Sequence, residues 1–377
     1  MLIRDAIHDY IELDDDFANL VEAPQFQRLR GIRQLGTGYL VYPGANHTRF
    51  EHSLGTYHLA SRLSKYLDLD KDEDRMVRAA ALLHDIGHGP LSHVSEEVSL
   101  SFCSKTHEDW SCEILEAEPI KGALEGMGLK SDEISSIIKG KGKLGQMISG
   151  EIDVDRMDYL CRDAYYTGVT SGADLGRILV TLRMVDGTLA ISENGLAAAE
   201  GLLVSRFLMY PTVYFHHTCR IAELMLARGI ESLVEDGTGM KEVMAMDDVA
   251  LISTMRRGDG IQKEIIDRIG RRDLYKRSMR VEMVKVNPRE LERRITDELR
   301  IDPKFVIVDV LPKQSFELEG VKVLMRDGKM ARMSEVSSTA PMLSKPKRAE
   351  VWVYCPGDMR DTVREAALSI LKNSQDY

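Results

Sequence analysis

The sequence predicts a mainly helical protein that ends in a small α+β domain. Apolar residues at helical spacing fill the first two-thirds of the chain, and strand-like runs cluster after about residue 275. The length of 377 residues suits one large domain or two ordinary ones. We therefore expect a helical domain over residues 1–275 and an α+β domain over residues 276–377.

Helices dominate the first predicted domain. One is expected over about residues 14–22, and a second carries Phe26, Leu29 and Ile32. Further helices are expected over Phe50–Leu67, Met76–Leu83, Ile152–Tyr166 and Gly195–Glu235. Pro211 is expected to kink the last of these, because proline has no N–H to donate. Asp186-Gly187 lies between two β-like runs and predicts one short hairpin at about residues 181–192. Residues 121–150 contain many glycines. Lysine and glycine alternate over residues 139–143, which predicts a solvated loop there.

The C-terminal region alternates between strand and helix patterns. The expected strands are Val281–Val286, Phe305–Leu311, Val321–Met325 and Val351–Cys355. Between the first two, Asn287-Pro288-Arg289-Glu290 predicts a helix start, with a capping asparagine, a proline at the first helical position and a capping-box glutamate. A final helix runs to about Lys372. This order predicts a ferredoxin-like domain with a structural or assembly role.

The composition is that of a globular protein and excludes several classes. Hydrophobic residues make up 44% and charged residues 29%, and the chain contains no apolar run long enough for a membrane span. The first residues lack the apolar stretch of a signal peptide, and the five cysteines form no C-x-x-C pair. The net charge of −10 argues against a long nucleic-acid ligand, which usually requires a basic surface. We therefore expect a cytoplasmic protein without a membrane or nucleic-acid partner.

Three separated segments concentrate histidine and carboxylate groups. They are His47–His52, His84–His93 and Asp153–Tyr159, and seven of the ten histidines lie between His47 and His107. Imidazole and carboxylate without thiolate suit Mn²⁺, Fe²⁺, Zn²⁺ or Mg²⁺. A single histidine is more simply explained as a satisfied core residue, but three such segments together predict a metal site.

These segments and their flanks resemble the HD superfamily, specifically its deoxynucleoside triphosphate triphosphohydrolase branch. The matching runs, all within about residues 1–235, are Pro24–Arg30, Gln34–Gly36, Tyr42–Ala45, Arg49–Gly55, His84–Pro90 and Asp153–Tyr159. The resemblance implies an HD-domain helical bundle with its core over about residues 45–170. It further implies hydrolysis of a dNTP at the α-phosphorus, which releases deoxynucleoside and tripolyphosphate.

The resemblance also implies the groups that carry out the chemistry. The positions that match the ligands of a divalent metal ion (Mn, Mg, Fe, Ni or Zn) are His52, His84, Asp85 and Asp155. Such a site acts as a Lewis acid that lowers the pKa of bound water. The positions that match catalytic groups are His88, His93, Glu96 and His107. His93 would be the acid at the leaving 5′-oxygen, oriented by Glu96, which stands where the family usually has an aspartate.

The implied substrate contacts divide between phosphate and sugar. They are Gln34, Leu35, Arg49, Arg156, Tyr159, Asp163, Arg206 and Tyr214. The three arginines would bind phosphate by charge and by their planar fork. Gln34 and Asp163 match groups that bind the 3′-hydroxyl, and Tyr159 matches the aromatic side chain that crowds out a ribose. Phe215 departs from the family, whose member carries a glutamine there.

The family implies regulation and assembly as well. The positions that match a site for an activating nucleotide are Arg4, Glu22, Gln27 and Arg30. Arg4 stands where a polar base contact would be, and Glu22 replaces an aspartate. Many relatives are dimers or tetramers, so a homo-oligomer is expected.

Two alternatives remain open at this point. One is another HD reaction, by a nucleotide monophosphatase, pyrophosphohydrolase or phosphodiesterase. The stretch Ile86–Gly89 lacks the glutamate-aspartate pair of alarmone hydrolases, and Tyr42-Pro43-Gly44 is not the G-Y-P signature of cyclic-dinucleotide phosphodiesterases. The other is a nucleotide or nucleic-acid binder whose metal is structural. His93, His107 and Arg49, which a structural metal does not need, argue against it.

Overall fold

The computed structural model describes residues 1–282, 286–311, 320–343 and 350–373. In chain order, its first elements are β1 (Leu2–Asp5), β2 (Asp9–Glu12), α1 (Asp15–Glu22), α2 (Pro24–Gln27), α3 (Arg49–Tyr66), α4 (Lys71–Leu83), α5 (His93–Cys103), α6 (His107–Leu115), α7 (Ile120–Gly126), α8 (Ser131–Ile138), α9 (Gly142–Ile148), α10 (Val154–Thr167), α11 (Leu175–Thr181), β3 (Leu182–Val185), β4 (Thr188–Ser192) and α12 (Leu196–Met209). The elements that follow are α13 (His217–Glu235), α14 (Met240–Ala245), α15 (Asp248–Arg257), α16 (Ile261–Gly270), β5 (Lys276–Glu282), α17 (Pro288–Leu299), β6 (Ile307–Leu311), β7 (Lys322–Leu324), β8 (Met330–Arg332), α18 (Met333–Val336), α19 (Ala340–Leu343), β9 (Glu350–Cys355) and α20 (Arg360–Asn373).

The predicted mainly helical fold class is confirmed, and local chemistry explains where the main helices begin. The Asp70 side chain accepts hydrogen bonds from the first backbone N–H groups of α4, and Asp153 does the same for α10. Asn287 caps α17 at the predicted position, with Pro288 as the first helical residue. None of the helices in the described ranges is both long and apolar enough to span a bilayer.

The described residues divide into two compact units. The first contains Met1–His216, Gly239–Leu251 and the described part of Glu317–Ser344. The second contains the described residues of His217–Thr238, Ile252–Phe316 and Lys345–Tyr377. This division differs from the expected boundary at residue 275, because the chain returns to the first unit after the second has begun.

The first unit is a helical bundle with a small mixed sheet. Helix α3 packs against both α4 and α10. The sheet has the strand order β3-β4-β7-β8, in which β3 and β4 form the predicted antiparallel hairpin. Strand β7 pairs with β4 in parallel, with Val323 opposite Ile191, and both side chains are buried.

The second unit contains an antiparallel sheet of order β5-β9-β6, on which α17 and α20 pack. Their shared core includes Met279, Leu291, Ile295, Val308, Val353, Val363 and Ala367. A ferredoxin-like domain would have a fourth strand in this sheet. The predicted strand at residues 321–325 does form, as β7, but it completes the open edge of β4 in the first unit. Part of the strand predicted at Val281–Val286 lies outside the described residues.

Two other expectations can be compared with the structure. Of the solvated loop expected around residues 139–143, residues 139–141 form a turn between α8 and α9 in which Lys139 and Lys141 are exposed, and most of the remaining glycine-rich segment forms helices α7, α8 and α9. Gly128 and Gly140 have positive φ and lie between these helices, and Gly142, also at positive φ, is the first residue of α9, so the glycines separate short helices and do not prevent them. At Pro211 the expected kink is a π-helical turn, Tyr210–Tyr214, which ends α12 before α13 begins.

Candidate active site

The predicted site depends on a close approach of α3 and α10. A Cβ atom on Gly55 of α3 would lie 1.9 Å from Asp158 Oδ1 and 2.5 Å from Arg162 Nη2 of α10. Only glycine leaves room for those two polar side chains at this crossing. The apolar run of α4 is buried against the same bundle and ends at Leu83, which places His84 and Asp85 beside the crossing.

The four predicted metal ligands come together at this point. Asp155 Oδ1 lies 2.9 Å from His52 Nε2 and 3.4 Å from His84 Nε2. Asp85 Oδ1 lies 3.3 Å from His84 Nε2, and Asp85 Oδ2 lies 3.6 Å from His52 Nε2. His52, His84 and Asp85 are buried, whereas the Asp155 side chain is 31% exposed and opens the cluster to solvent.

The donor set of this cluster fits a divalent cation. The Nε2 atoms of His52 and His84 are buried and make no well-aligned hydrogen bond within the described residues. Burial alone would lower the pKa of His52, but the carboxylates of Asp155 and Asp158 outweigh it and raise the pKa to about 10. The cluster therefore stabilises positive charge where these nitrogen atoms meet, and imidazole with carboxylate suits the metals named above.

Asp158 supports the cluster from behind. Its Oδ2 accepts a hydrogen bond from His52 Nδ1 at 2.8 Å, which turns Nε2 of the same ring toward Asp85 and Asp155. The carboxylate is fully buried, and His8 and Arg162 also donate to it. Burial opposes ionisation, but the charge of Arg162 and these hydrogen bonds hold the pKa of Asp158 well below its usual range.

The four predicted catalytic groups form a second cluster next to the first. His88 Nε2 lies 3.5 Å from Asp85 Oδ1, and the His88 ring stacks on that of His107 with centroids 4.0 Å apart. Glu96 accepts hydrogen bonds from His107 Nδ1 at 2.5 Å and from His93 Nδ1 at 3.1 Å. The His93 side chain is 74% exposed and is thus open to a ligand.

Electrostatics separate the roles of these histidines. Burial, together with the charges of Arg49 and His107, holds the pKa of His88 well below its ordinary value, so His88 is neutral. Burial would also lower the pKa of His107, but its hydrogen bond to Glu96 outweighs burial and raises that pKa. Those bonds in turn overcome burial at Glu96 and lower the pKa of its carboxyl group. Glu96 therefore remains a charged acceptor that orients two imidazoles.

Arg49 links the two clusters. It is buried at the start of α3 and donates from Nη1 to Asp85 Oδ2 at 2.5 Å and from Nε to Ser92 Oγ at 2.9 Å. Its Nη2 lies 3.5 Å from His93 Nε2. The guanidinium therefore lies between the metal-ligand cluster and the exposed histidine, where a phosphate group would meet both.

The other predicted substrate residues fall into three groups. Asp163 accepts hydrogen bonds from Tyr214 OH and His47 Nε2, each at 2.7 Å, and the Tyr159 ring contacts those of His52 and Tyr214. Arg156 and Arg206 both lie beside Glu151, with Nη1 of each 3.8 and 3.4 Å from the carboxylate. Gln34 is buried with its Oε1 unpaired within the described residues, and its neighbour Leu35 is half-buried.

Of the four positions expected to bind a regulatory nucleotide, two contact each other. Gln27 accepts a hydrogen bond from Arg30 Nε at 2.8 Å, and the Arg30 guanidinium lies 3.5 Å from the centre of the Phe50 ring. Arg4 forms an ion pair with Asp9 and lies over the Tyr10 ring, both within its own hairpin. Glu22 is exposed at the end of α1. The structure brings Gln27 and Arg30 together, and the observed contacts of Arg4 are local.

Sequence reasoning missed several residues that support the site. Asp158, Ser92 and His47 each bind a predicted site residue, and His8 and Arg162 bind Asp158. For Asp158 a signal was available, since it lies one helical turn after Asp155 inside the motif. His8 gave none, because it meets Asp158 across 150 residues of sequence.

Comparisons with known proteins agree with this arrangement. The HD domain family matches residues 49–163, and the HD associated region matches residues 173–376. An uncharacterized protein of Methanocaldococcus jannaschii is 37% identical over 97% of this chain and 81% of its own length. A deoxynucleoside triphosphate triphosphohydrolase SAMHD1 homolog of Dictyostelium discoideum is 32% identical over 73% of this chain and 59% of its own length. The crystal structure of a phosphohydrolase from Bacteroides thetaiotaomicron superposes with a TM-score of 0.79 at 27% identity, covering 94% of this chain and 99% of its own.

Proposed function

Because this chain belongs to the HD-domain superfamily, we propose that it is a metal-dependent phosphohydrolase that acts on deoxynucleoside triphosphates. The observation that carries the proposal is the position of Arg49. It touches the metal-ligand cluster through Asp85 and lies beside the exposed His93. A metal that only stabilises the fold needs neither a phosphate-binding group nor a proton donor at its edge.

The proposed reaction is attack of water on the α-phosphorus. A new P–O bond forms to the water oxygen, which releases a proton to solvent, while the bond to the 5′-oxygen breaks and that oxygen takes a proton from His93. A cation held by His52, His84, Asp85 and Asp155 would supply Lewis acidity, which neutralises phosphate oxygens and lowers the pKa of water. The products are deoxynucleoside and tripolyphosphate.

The side chains of the protein provide the other steps. Arg49 binds a phosphate oxygen through its fork of N–H donors. His93 donates the proton to the leaving oxygen from Nε2, because Glu96 binds its Nδ1 and fixes the orientation of the ring. His107 and the neutral His88 stack beside it and confine the phosphate to that side.

Sugar selection is assigned to the group around Asp163. This carboxylate accepts from His47 and Tyr214 and retains lone pairs that can accept from a 3′-hydroxyl. Tyr159 lies between this carboxylate and the metal cluster, where its ring opposes a 2′-hydroxyl. Resemblance to the SAMHD1 homolog supports the dNTP assignment, since that relative is named as a deoxynucleoside triphosphate triphosphohydrolase.

An anion-exchange product assay tests the proposal. The purified protein is incubated with Mn²⁺ or Mg²⁺ and each dNTP, singly and mixed, beside the four NTPs. We expect deoxynucleoside and tripolyphosphate, with the ribonucleotides untouched. Orthophosphate as the product would indicate a monophosphatase, and no turnover under any mixture would overturn the dNTP assignment. The mixtures also test activation, because a nucleotide activator would make turnover of one dNTP depend on another.

Variants of the predicted metal ligands test whether turnover depends on the bound metal. His84→Ala and Asp155→Ala are each expected to abolish bound metal and turnover together, as measured by elemental analysis and the product assay. His217→Ala changes an exposed histidine outside the cluster and is the matched control. Full activity in either ligand variant would contradict the mechanism.

A further inference from the structure

The turn just before His93 has an unusual backbone conformation. Leu91 and Ser92 have φ values of 59° and 54°, in the left-handed region that residues other than glycine rarely adopt. Two such residues in succession persist only where surrounding contacts impose them. Because α5 begins at His93, the direction of this turn sets where the imidazole is presented.

Asp248, which lies far from this turn in the sequence, contacts it directly. Its Oδ1 accepts a hydrogen bond from the Leu91 N–H at 2.7 Å, and its Oδ2 accepts from the Arg33 N–H at 3.2 Å. The carboxylate is 1% exposed, and a buried carboxylate is tolerated where its oxygens are bound in this way. Asp248 thus joins the turn to the segment that carries Arg33.

Ser92 binds the same segment from the other side of the turn. Its hydroxyl donates to the Arg33 carbonyl at 2.8 Å and accepts from Arg49 Nε at 2.9 Å. The two turn residues are therefore held between the backbone of Arg33 and two charged side chains. One of those side chains, Arg49, already belongs to the proposed site, and the other is Asp248.

Arg28 links residues 86–88, just before this turn, to residues 244–246, just before Asp248. Its guanidinium donates to the carbonyls of Ile86 and His88, both at 2.8 Å, and to those of Met244 and Met246 at 3.2 and 2.9 Å. A Cβ on Gly89 would lie 2.6 Å from the Met244 sulfur atom, so the loop and α14 are in direct contact. Residues 86–92 are therefore fixed against residues 244–248.

We infer that Asp248 is a positioning residue, which holds the Leu91–Ser92 turn so that His93 faces the metal-ligand cluster. The inference rests on the proposed role of His93 as the proton donor. Asp248 lies outside residues 49–163, which match the HD domain, and inside residues 173–376, which match the HD associated region. That region thereby acts on the active site through the turn.

Asp248→Asn is the test, because it preserves size and replaces one acceptor oxygen by an N–H₂ donor that faces a backbone N–H. Hydrogen–deuterium exchange is expected to become faster in the peptide that covers residues 88–94. The kcat is expected to fall about 10- to 100-fold, as for a misplaced catalytic group, while KM and bound Mn²⁺ stay within about twofold. Asp174→Asn is the matched control, since Asp174 likewise caps a helix, α11, through the Arg177 N–H and is exposed. It is expected to change none of these quantities.

A double variant shows whether Asp248 acts through His93. Asp248→Asn combined with His93→Ala is expected to be no slower than His93→Ala alone. Losses that multiply, loss of metal, or unchanged exchange in residues 88–94 would each overturn the inference. If Asp248→Asn does not fold, Asp248→Glu provides the same measurements, because it keeps the charge and moves the acceptor oxygen away from the Leu91 N–H by one methylene group.

The exchange measurement needs no substrate, which separates the two proposals. Absence of dNTP turnover in the unmodified protein would overturn the proposed function. Faster exchange confined to residues 88–94 in Asp248→Asn would still establish that Asp248 holds the turn.

Discussion

Asp158 is a single residue on which metal affinity is expected to depend, although it is not a predicted ligand. Asp158→Asn removes the charge that fixes His52 Nδ1, so Nε2 is no longer held toward the cluster. Loss of such an outer contact typically costs about 10- to 100-fold in metal affinity. Titration calorimetry with Mn²⁺ measures the change.

Asp5→Asn is the matched control for this prediction. Asp5 also binds Arg162, at 2.8 and 3.3 Å, but does not touch His52. Both variants disturb the buried arginine, and only Asp158→Asn disturbs the ligand. Equal losses of Mn²⁺ affinity would show that the arginine network, and not His52 orientation, controls the metal.

His58, on the same helix as His52, is expected to give the folded protein an acid sensitivity of its own. Burial, with the charges of His8 and Arg62, lowers the pKa of His58 from 6.5 to about 4. The unfolded chain therefore binds this proton more tightly. The contribution of His58 to the free energy of unfolding is present above pH 6.5 and is lost as the pH falls toward about 4.

Replacement by a residue that does not titrate isolates this effect. Protonation of His58 is expected to lower the free energy of unfolding of the native protein by about 2 kcal/mol after allowance for solvent screening. In His58→Gln, the free energy of unfolding should therefore fall by correspondingly less between pH 7 and pH 4.5. Urea denaturation at several pH values measures both proteins, and parallel curves would contradict the assignment.

At the scale of elements, the crossing of α3 and α10 is expected to tolerate no added volume. Gly55→Ala would force its methyl group into Asp158 and Arg162, which are themselves bound to other residues. We expect a loss of about 3 kcal/mol in the free energy of unfolding, with loss of metal at the same time. Gly126→Ala is the matched control, because its Cβ would meet nothing within 4 Å. That variant should gain about 0.5–1 kcal/mol from helix propensity.

The elements that depend on local patterns could be predicted well from the sequence. Helix α3 was expected over Phe50–Leu67 and spans Arg49–Tyr66, and the β3–β4 hairpin follows the Asp-Gly turn. Within residues 121–150 the loop is confined to short turns such as residues 139–141, because glycines that separate successive short helices give the same composition as a longer loop. Asp248 had no local signal at all, since its bond to Leu91 spans 157 residues.

At the scale of the whole molecule, the unpredictable feature was which strand pairs with which. Strand β7 has the expected position, but its partner is β4, whose register places Val323 opposite Ile191. Alternation of apolar residues identifies a strand and is the same for any partner with a free edge. The sequence therefore predicted α17, β6, β7, β9 and α20 of the C-terminal region. It did not predict the bounds of β5, the elements β8, α18 and α19, or the assignment of the region to two units.

This assignment makes the first unit sensitive to a substitution that lies far from β4 in the sequence. Val323→Asp places a charge at a fully buried position of the β4–β7 pair and is expected to destabilise the first unit by several kcal/mol, on the order of 3. Met330→Asp in β8, where the side chain is 39% exposed, is the matched control. Thermal melting together with limited proteolysis checks the difference. Equal melting temperatures would show that β7 adds little to the unit.

The return of the chain to β4 also has a consequence during synthesis. The predicted metal ligands and catalytic groups have all left the ribosome by the time Asp155 emerges, yet the edge of β4 stays unpaired until residues 322–324 follow. For the intervening stretch of translation, the nascent protein presents an open β-edge, the kind of surface that invites pairing with another chain. Maturation of the active site is therefore expected to lag behind synthesis of its own residues.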